Sequence, residues 1–258
     1  MQSKAHGEAH QQITIGSLNI QNILANEVYL RAVLSQCDLL CIQEYWIFSH
    51  RKSIFQEIIT SHEVEAKSVD DENPLFDHKS IRGFAGVATC WKKNLSHAVK
   101  VQEEENHRIM VTTIACKPTP IRIINVCMPT TGNNQNDNYS ESLDQISELL
   151  EKYSSHSIIL IGDMNASLHR DDRQRDKNYS IKPTFFHHNG RYFSQIDYVL
   201  CDPEMLELSP DVEIHDMSPL NTSDHTLITV SFHINVEKKK KPCCIMLEKK
   251  PSLVTTNK

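Results

Sequence analysis

Apolar and polar positions along the chain follow two periods, and the changes between them mark the elements. ITIGSLNI at 13–20 alternates and is rich in β-formers, so it predicts a strand. NEVYLRAVLSQ at 26–36 spaces its apolar residues by three and four, which predicts a helix with Asn26 as its cap. DLLCIQE at 38–44 is a continuous apolar run with polar residues at its end, as in a buried strand whose tip faces a site. A second helix is expected at 51–60, and the charged stretch 64–80 with Pro74 reads as a loop. GFAGVATCW at 83–91 is a strand entered through glycines. Strands at 109–116 and 121–127 are joined by the turn-like KPTP. After the polar loop 131–138, residues 139–153 (YSESLDQISELLEKY) carry the clearest helical pattern in the chain. SIILIGD at 157–163 is a strand that delivers Asp163 at its end. Residues 167–183 are charged and irregular, and strands are expected at 195–201, about 212–217 and 225–235.

Strands first paired with helices and then following one another predict an α+β fold, a four-layer α/β sandwich of two packed mixed β-sheets flanked by helices. The folded body is expected to span 13–236, between a disordered tail at 1–12 and a flexible Lys-rich tail at 237–258. No GxGxxG, Walker motif or internal repeat is present, which argues against a dinucleotide or P-loop fold.

Composition and charge sharpen this picture. With 39% hydrophobic and 23% charged residues, the chain of 258 suits a globular protein that needs no disulfide or zinc staple. Its eight cysteines include no CxxC pair, so they are expected to be reduced and mostly buried thiols of an intracellular protein. The N-terminus has no apolar signal segment and no run is long enough to span a bilayer, so no membrane partner is expected and the location is nuclear or cytoplasmic. The tail from Glu237 holds seven Lys and two Glu, which leaves −11 on the body of a chain whose net charge is −6. An acidic body is not a general polyanion binder, so contact with DNA would come from a local basic face, the tail or a bound metal. Lys238–Lys241 reads either as a nuclear localisation signal or phosphate-contacting arm, or as a solvated run at a frayed end.

The polar motifs carry the chemistry. Asn19 in SLNIQN, Glu44 in CIQE, Asp163 and Asn165 in IGDMNA, Asp197 in SQIDYVL and Asp224–His225 in TSDH mostly follow strand-like runs. Carboxylates, amides and one His gathered at strand ends can hold a divalent cation and activate water. Mg2+ takes hard oxygen ligands and keeps several waters, and Glu44 is the best first ligand with Asn19 beside it. Asp163 and Asn165, two residues apart, would face one side if strand geometry persists. Asp163 could accept a proton from the attacking water, and Asn165 could donate to charge developing on phosphorus. A plain Gly-Asp-x-Asn turn is the competing reading of that tetrapeptide. Asp197 could orient the His225 ring and raise its basicity. His225 could equally be a core histidine opening the final strand, and Ser223 a local cap.

At these residues the chain resembles the endonuclease/exonuclease/phosphatase superfamily, whose fold is that of DNase I. LNIQN, QE, GFAGVA, NVCMP, GDMNA, SQIDY and SDH carry the resemblance over residues 13–233. Within the superfamily the likeness is strongest to the endonuclease domain that precedes the reverse transcriptase of non-LTR retrotransposons, through GVATCWKK, GDMNASLHR and PTFFHHNGRYFSQIDYVL. The resemblance implies Glu44, Asn19 and Asp224 at the metal, Mg2+ with Mn2+ as an alternative, and Asp163, Asn165, Asp197 and His225 as the catalytic set. It places Asn125, Cys127 and Ser194 against substrate. The chain departs from the pattern at Cys127, where relatives usually carry Tyr and some carry His, and at Ala85, where they often carry Gly. The stretch between Asp163 and Asp197 is also shorter than in relatives.

The expected function is a Mg2+-dependent phosphodiester hydrolase, a DNA endonuclease of retrotransposon origin that leaves 5′-phosphate and 3′-hydroxyl ends and acts as a monomer. The alternatives are a small-molecule or lipid phosphatase or phosphodiesterase of the same superfamily, and a catalytically dead relic domain.

Overall fold

A computed structural model describes residues 11–72, 83–103, 106–130, 136–167, 182–208 and 211–238. The chain begins β1 (Gln11–Asn19), α1 (Glu27–Gln36), β2 (Leu39–Gln43), α2 (Ile54–Ile58), β3 (His62–Lys67) and β4 (Val87–Lys92). It continues β5 (Val99–Val101), β6 (Ile109–Ile114), β7 (Cys116–Lys117), β8 (Ile121–Cys127), α3 (Asn136–Lys152) and β9 (Ser157–Asp163). The last elements are β10 (Phe185–Phe186), β11 (Phe193–Ser194), β12 (Asp197–Cys201), α4 (Pro203–Glu207), β13 (Asp211–Ile214) and β14 (Ile228–Val236).

Two mixed sheets face each other. One runs β13-β14-β1-β2-β4-β3 with β7 attached to β14, and the other runs β12-β9-β8-β6-β5. Each contains one parallel pair, β1 with β2 and β8 with β9, and every other pairing within these two sheets is antiparallel. The parallel pairs arise because α1 and α3 carry the chain back along the sheet before the next strand begins. Burial separates three layers of core. Ile13, Ile15, Leu39 and Phe232 meet Ile121, Ile123, Ile159 and Ile161 between the sheets. Leu30, Val33 and Leu34 of α1 cover the outer face of the first sheet against Leu18, Leu40 and Ile42. Ile146 and Leu149 of α3 cover the second sheet against Val111, Ile124 and Val126. The expected four-layer α+β sandwich is the fold observed.

One polar bridge crosses the layer between the sheets. Gln43 Nε2 donates to Asn125 Oδ1 at 2.7 Å, and Asn125 Nδ2 donates to the Ala88 carbonyl at 2.9 Å and the Ile42 carbonyl at 3.3 Å. A buried polar side chain is costly unless hydrogen-bonded, so this bridge fixes how the sheets sit opposite one another.

Several boundaries differ from the sequence pattern, each for a physical reason. His62–Lys67 is a strand that runs into the expected loop 64–80, because β3 is an edge strand, paired among the described residues only with β4, and an edge tolerates charged residues. Residues 73–82 of that loop lie outside the described residues, as do 131–135 of the next polar loop, 168–181 of the irregular stretch, the N-terminal ten and the tail beyond 238. Gln11 and Gln12 pair with Ile234 and His233, so β1 starts inside the expected tail. The expected strand 83–91 starts only at Val87, since Ala85 and Gly86 take positive φ and cannot continue a ladder. The expected strand 109–116 divides after Ile114, and Cys116–Lys117 joins the other sheet. The helix expected at 51–60 is reduced to Ile54–Ile58, and that expected at 139–153 runs 136–152. The final strand starts at Ile228, not at 225.

Candidate active site

The site lies where strands of both sheets end. In the second sheet, Cys127, Asp163 and Asp197 stand side by side in register as parallel and antiparallel neighbours. In the first, Asn19 pairs with Gln43 and Gln43 with Val87, and Glu44 follows directly. The site is therefore an edge-on meeting of two rows of strand termini.

Asp163 is at its centre, 1% exposed. Its Oδ2 accepts from Asn19 Nδ2 at 2.9 Å and Asn165 Nδ2 at 3.2 Å, and its Oδ1 accepts from the Asn165 backbone N–H at 2.9 Å. His225 Nδ1 lies 2.9 Å from Asp197 Oδ2, while Nε2 lies 3.9 Å from Asp163 Oδ2. Asp163, Asp197 and His225 thus place one ligand-capable atom each within 4.8 Å of one another.

Burial shapes the charges. Desolvation, then the Asp197 carboxylate, raises the Asp163 carboxyl to about 6, against the lowering effect of His225 and its hydrogen-bond donors. Desolvation alone would lower His225, but Asp197, Asp163 and Asp224 together hold it up at about 9. The imidazole between two carboxylates is the stabilised cation of this cluster. Desolvation, then Glu44 and Asp163, pushes the Cys127 thiol well above its ordinary range.

Of the expected residues, Asn19, Asp163, Asn165, Asp197 and His225 come together. Asn165 reaches Asp163 through a turn, not through strand alternation, because β9 ends at Asp163 and Asn165 adopts φ +47. Its Nδ2 also donates to the Met128 carbonyl at 2.7 Å. Glu44 sits at φ +55 on the first row; its Oε2 accepts from Trp46 Nε1 and from the Ala85 N–H, and its Oε1 accepts from Cys127 Sγ at 3.4 Å. Asp224 is joined through its backbone, donating to Gln21 Oε1 at 2.9 Å and accepting from Phe186 N at 2.7 Å. Asn125 is fully buried in the bridge between the sheets, with its side-chain oxygen and nitrogen both engaged there. Ser194 lies in the small β10-β11 hairpin, where it pairs with Phe185. Asn26 is not a side-chain cap: its amide donates to the Ile20 carbonyl and accepts from Thr222 N–H, tying β1 to the SDH segment. His225 makes an isolated bridge to Phe185 and does not open the last strand. Ser223 does more than cap locally, because its Oγ donates to the Asn19 carbonyl at 2.6 Å.

Two supports were not evident from the motifs. Thr184 is fully buried, and its Oγ1 accepts from the N–H of Ile196 and of Asp197, both at 3.1 Å. The Phe185 ring meets the His225 ring edge-on at 5.1 Å. Both contacts join residues distant in sequence, and TFF carries no polar pattern that would single out its Thr.

The donors suit a divalent cation. Besides the carboxylates, Asn19 Oδ1 is buried with no hydrogen-bond partner, and a hard cation or its water would satisfy it.

Strand termini of two stacked mixed sheets thus converge on a buried Asp–His–Asp cluster. The chain belongs to the Endonuclease/Exonuclease/phosphatase family, whose model matches residues 16–225. Among solved structures it is similar to the AP endonuclease LMAP from Leishmania major, with TM-score 0.69 and 15% identity over 86% of this chain and 88% of that one. It is similar to the 3'-5' exonuclease NExo from Neisseria meningitidis, with TM-score 0.65 and 15% identity over 86% and 100%. The endonuclease domain of TRAS1, a telomere-specific non-LTR retrotransposon, superimposes with TM-score 0.60 and 18% identity over 87% and 100%. No curated protein matches the chain.

Proposed function

We propose that this protein is a divalent-metal-dependent phosphodiester hydrolase that nicks DNA, of non-LTR retrotransposon origin, with Mg2+ as its ordinary cation and Mn2+ as an alternative. The observation that carries the reading is the buried Asp197–His225–Asp163 cluster beside the unsatisfied Asn19 oxygen. A DNA substrate is supported by neighbours that include a Neisseria 3' phosphatase bound to a product DNA hairpin and the TRAS1 endonuclease domain.

Glu44 and Asn19 would hold the cation, with Asp224 beside His225 as a further carboxylate. When bound, it neutralises charge on the phosphate oxygens. Asp163 takes the proton of the attacking water, and its raised pKa makes it a better acceptor than an ordinary Asp. The Asn19 and Asn165 amides aim its lone pairs. His225, cationic and held by Asp197 through Nδ1, has its Nε2 on the Asp163 side, from which it would donate to a phosphate oxygen. Asn165 reaches the developing charge on phosphorus when its amide releases Met128 or Asp163.

Supercoiled plasmid incubated with Mg2+ or Mn2+ is expected to be nicked. Asp163→Ala and His225→Ala are each expected to lower the rate by roughly 100-fold or more, as loss of a general acid or base does. Equal nicking by wild type and both variants would remove the proposal. Release of phosphate from small or lipid esters without DNA nicking would turn it to the phosphatase reading, and no turnover of either, in folded protein, to a catalytically dead domain.

A further inference from the structure

Cys127 occupies the position where the resemblance expects Tyr, and its thiol donates to Glu44, the carboxylate proposed above to hold the cation. Its Sγ lies 3.4 Å from Glu44 Oε1, and its backbone stands in register beside Asp163. A sulfur and a carboxylate oxygen bound to one cation at about 2.3 and 2.1 Å lie roughly 3.1 to 3.6 Å apart for angles between octahedral and tetrahedral. The observed separation falls inside that interval. Asn19 is buried at 3% exposure, its Nδ2 is fixed on Asp163, and its Oδ1 has no partner. The sulfur thus touches the Glu44 carboxylate, Cys127 stands in register beside the Asp163 that holds the Asn19 amide, and the Asn19 oxygen is left with an unmet demand for a donor or a cation.

We infer that Cys127 is a direct metal ligand alongside Glu44 and Asn19, and that it biases this site toward thiophilic divalent cations such as Zn2+ and Cd2+. The inference rests on Glu44 as the cation's carboxylate, as proposed above. A thiolate ligand favours softer metals, whereas a site of oxygens alone suits Mg2+. The sulfur ligates as thiolate, and its proton passes to solvent.

The test uses the full chain with Cys243→Ser and Cys244→Ser, which removes the adjacent tail thiols. Titration with Cd2+ is expected to produce a thiolate-to-cadmium charge-transfer band in the ultraviolet. The band is lost in Cys127→Ser and kept in Cys201→Ser. Cd2+ affinity by calorimetry falls at least roughly tenfold in Cys127→Ser and in Glu44→Gln, the size seen when a supporting group is removed from a metal site. Absence of the band, or its persistence in folded Cys127→Ser, overturns the inference. Cadmium NMR on the chain that retains Cys127 keeps the inference falsifiable even if that variant does not fold, because a shift in the range of oxygen-only ligation also overturns it. Mg2+-dependent nicking without a Cys127 band would sink this inference and leave the hydrolase reading standing. A Cys127 band without nicking under any metal would do the reverse.

Discussion

Gly162 precedes the central carboxylate at φ +140, and a Cβ added there would lie 2.0 Å from the Val126 carbonyl. No shift of a flexible side chain relieves a clash with backbone. Gly162→Ala is expected to destabilise the fold by about 2–4 kcal/mol, the size of a core clash plus a forced φ, in urea unfolding. The same change moves Asp163 relative to Asn19. Glu44 and Asn165 also hold positive φ, at +55 and +47, where a non-Gly residue costs about 1–2 kcal/mol. Both are offset by hydrogen bonds, Glu44 from Trp46 and Ala85, Asn165 to Met128 and Asp163. Ala85 is in the same region at φ +52, where its small Cβ limits the strain and the relatives' Gly would remove it. At this scale the motif letters were legible, but the backbone that aims them was not. Asp163 and Asn165 were expected to meet by strand alternation, and they meet because the chain turns.

The β10-β11 hairpin joins the His225 side of the site to the second sheet. Thr184 precedes it and supplies the acceptor for the half-buried N–H of Ile196 and the buried N–H of Asp197. Thr184→Val keeps the shape and removes the acceptor. It is expected to cost about 2–4 kcal/mol, with one unmet buried donor worth about 1–3. Thr184→Ser should recover most of that loss. Amide exchange at Asp197 should quicken in the Val variant and not in the Ser variant; equal exchange in both would contradict the role. The central strands were readable because they are apolar on both faces, as β2 and β9 are nearly throughout. The edge strand β3, the three-residue β5 and the hairpin were not, since pairing with a neighbour defines them and their own pattern does not.

Over the whole molecule, protonation and metal binding are linked through the buried cluster. Asp163 is raised in the folded state, so its contribution is present below an unfolded pKa near 3.8 and is lost as pH rises through about 6. His225 is raised too, so its contribution is full below 6.5 and is lost as pH rises through about 9. Both signs agree: in chelator, thermal stability is expected to fall from pH 4 toward pH 9 on account of these two groups. Mg2+ or Mn2+ is expected to raise Tm more at pH 8 than at pH 5, because Asp163 has then lost its proton and the cation offsets the added negative charge. A Tm gain independent of pH would contradict this coupling. By itself, the sequence determined the layers and the chemistry on offer: apolar runs must be buried between helices and sheets, and the acids and amides that follow those runs emerge at strand ends. Tertiary structure alone decided which of them meet. Strand register set Cys127, Asp163 and Asp197 side by side, while the Gln43–Asn125 bridge brought the other sheet's row opposite. Those contacts span up to about 200 residues of chain, as from Asn19 to Ser223, and a local pattern has no means of encoding a distance that only the packed sheets define.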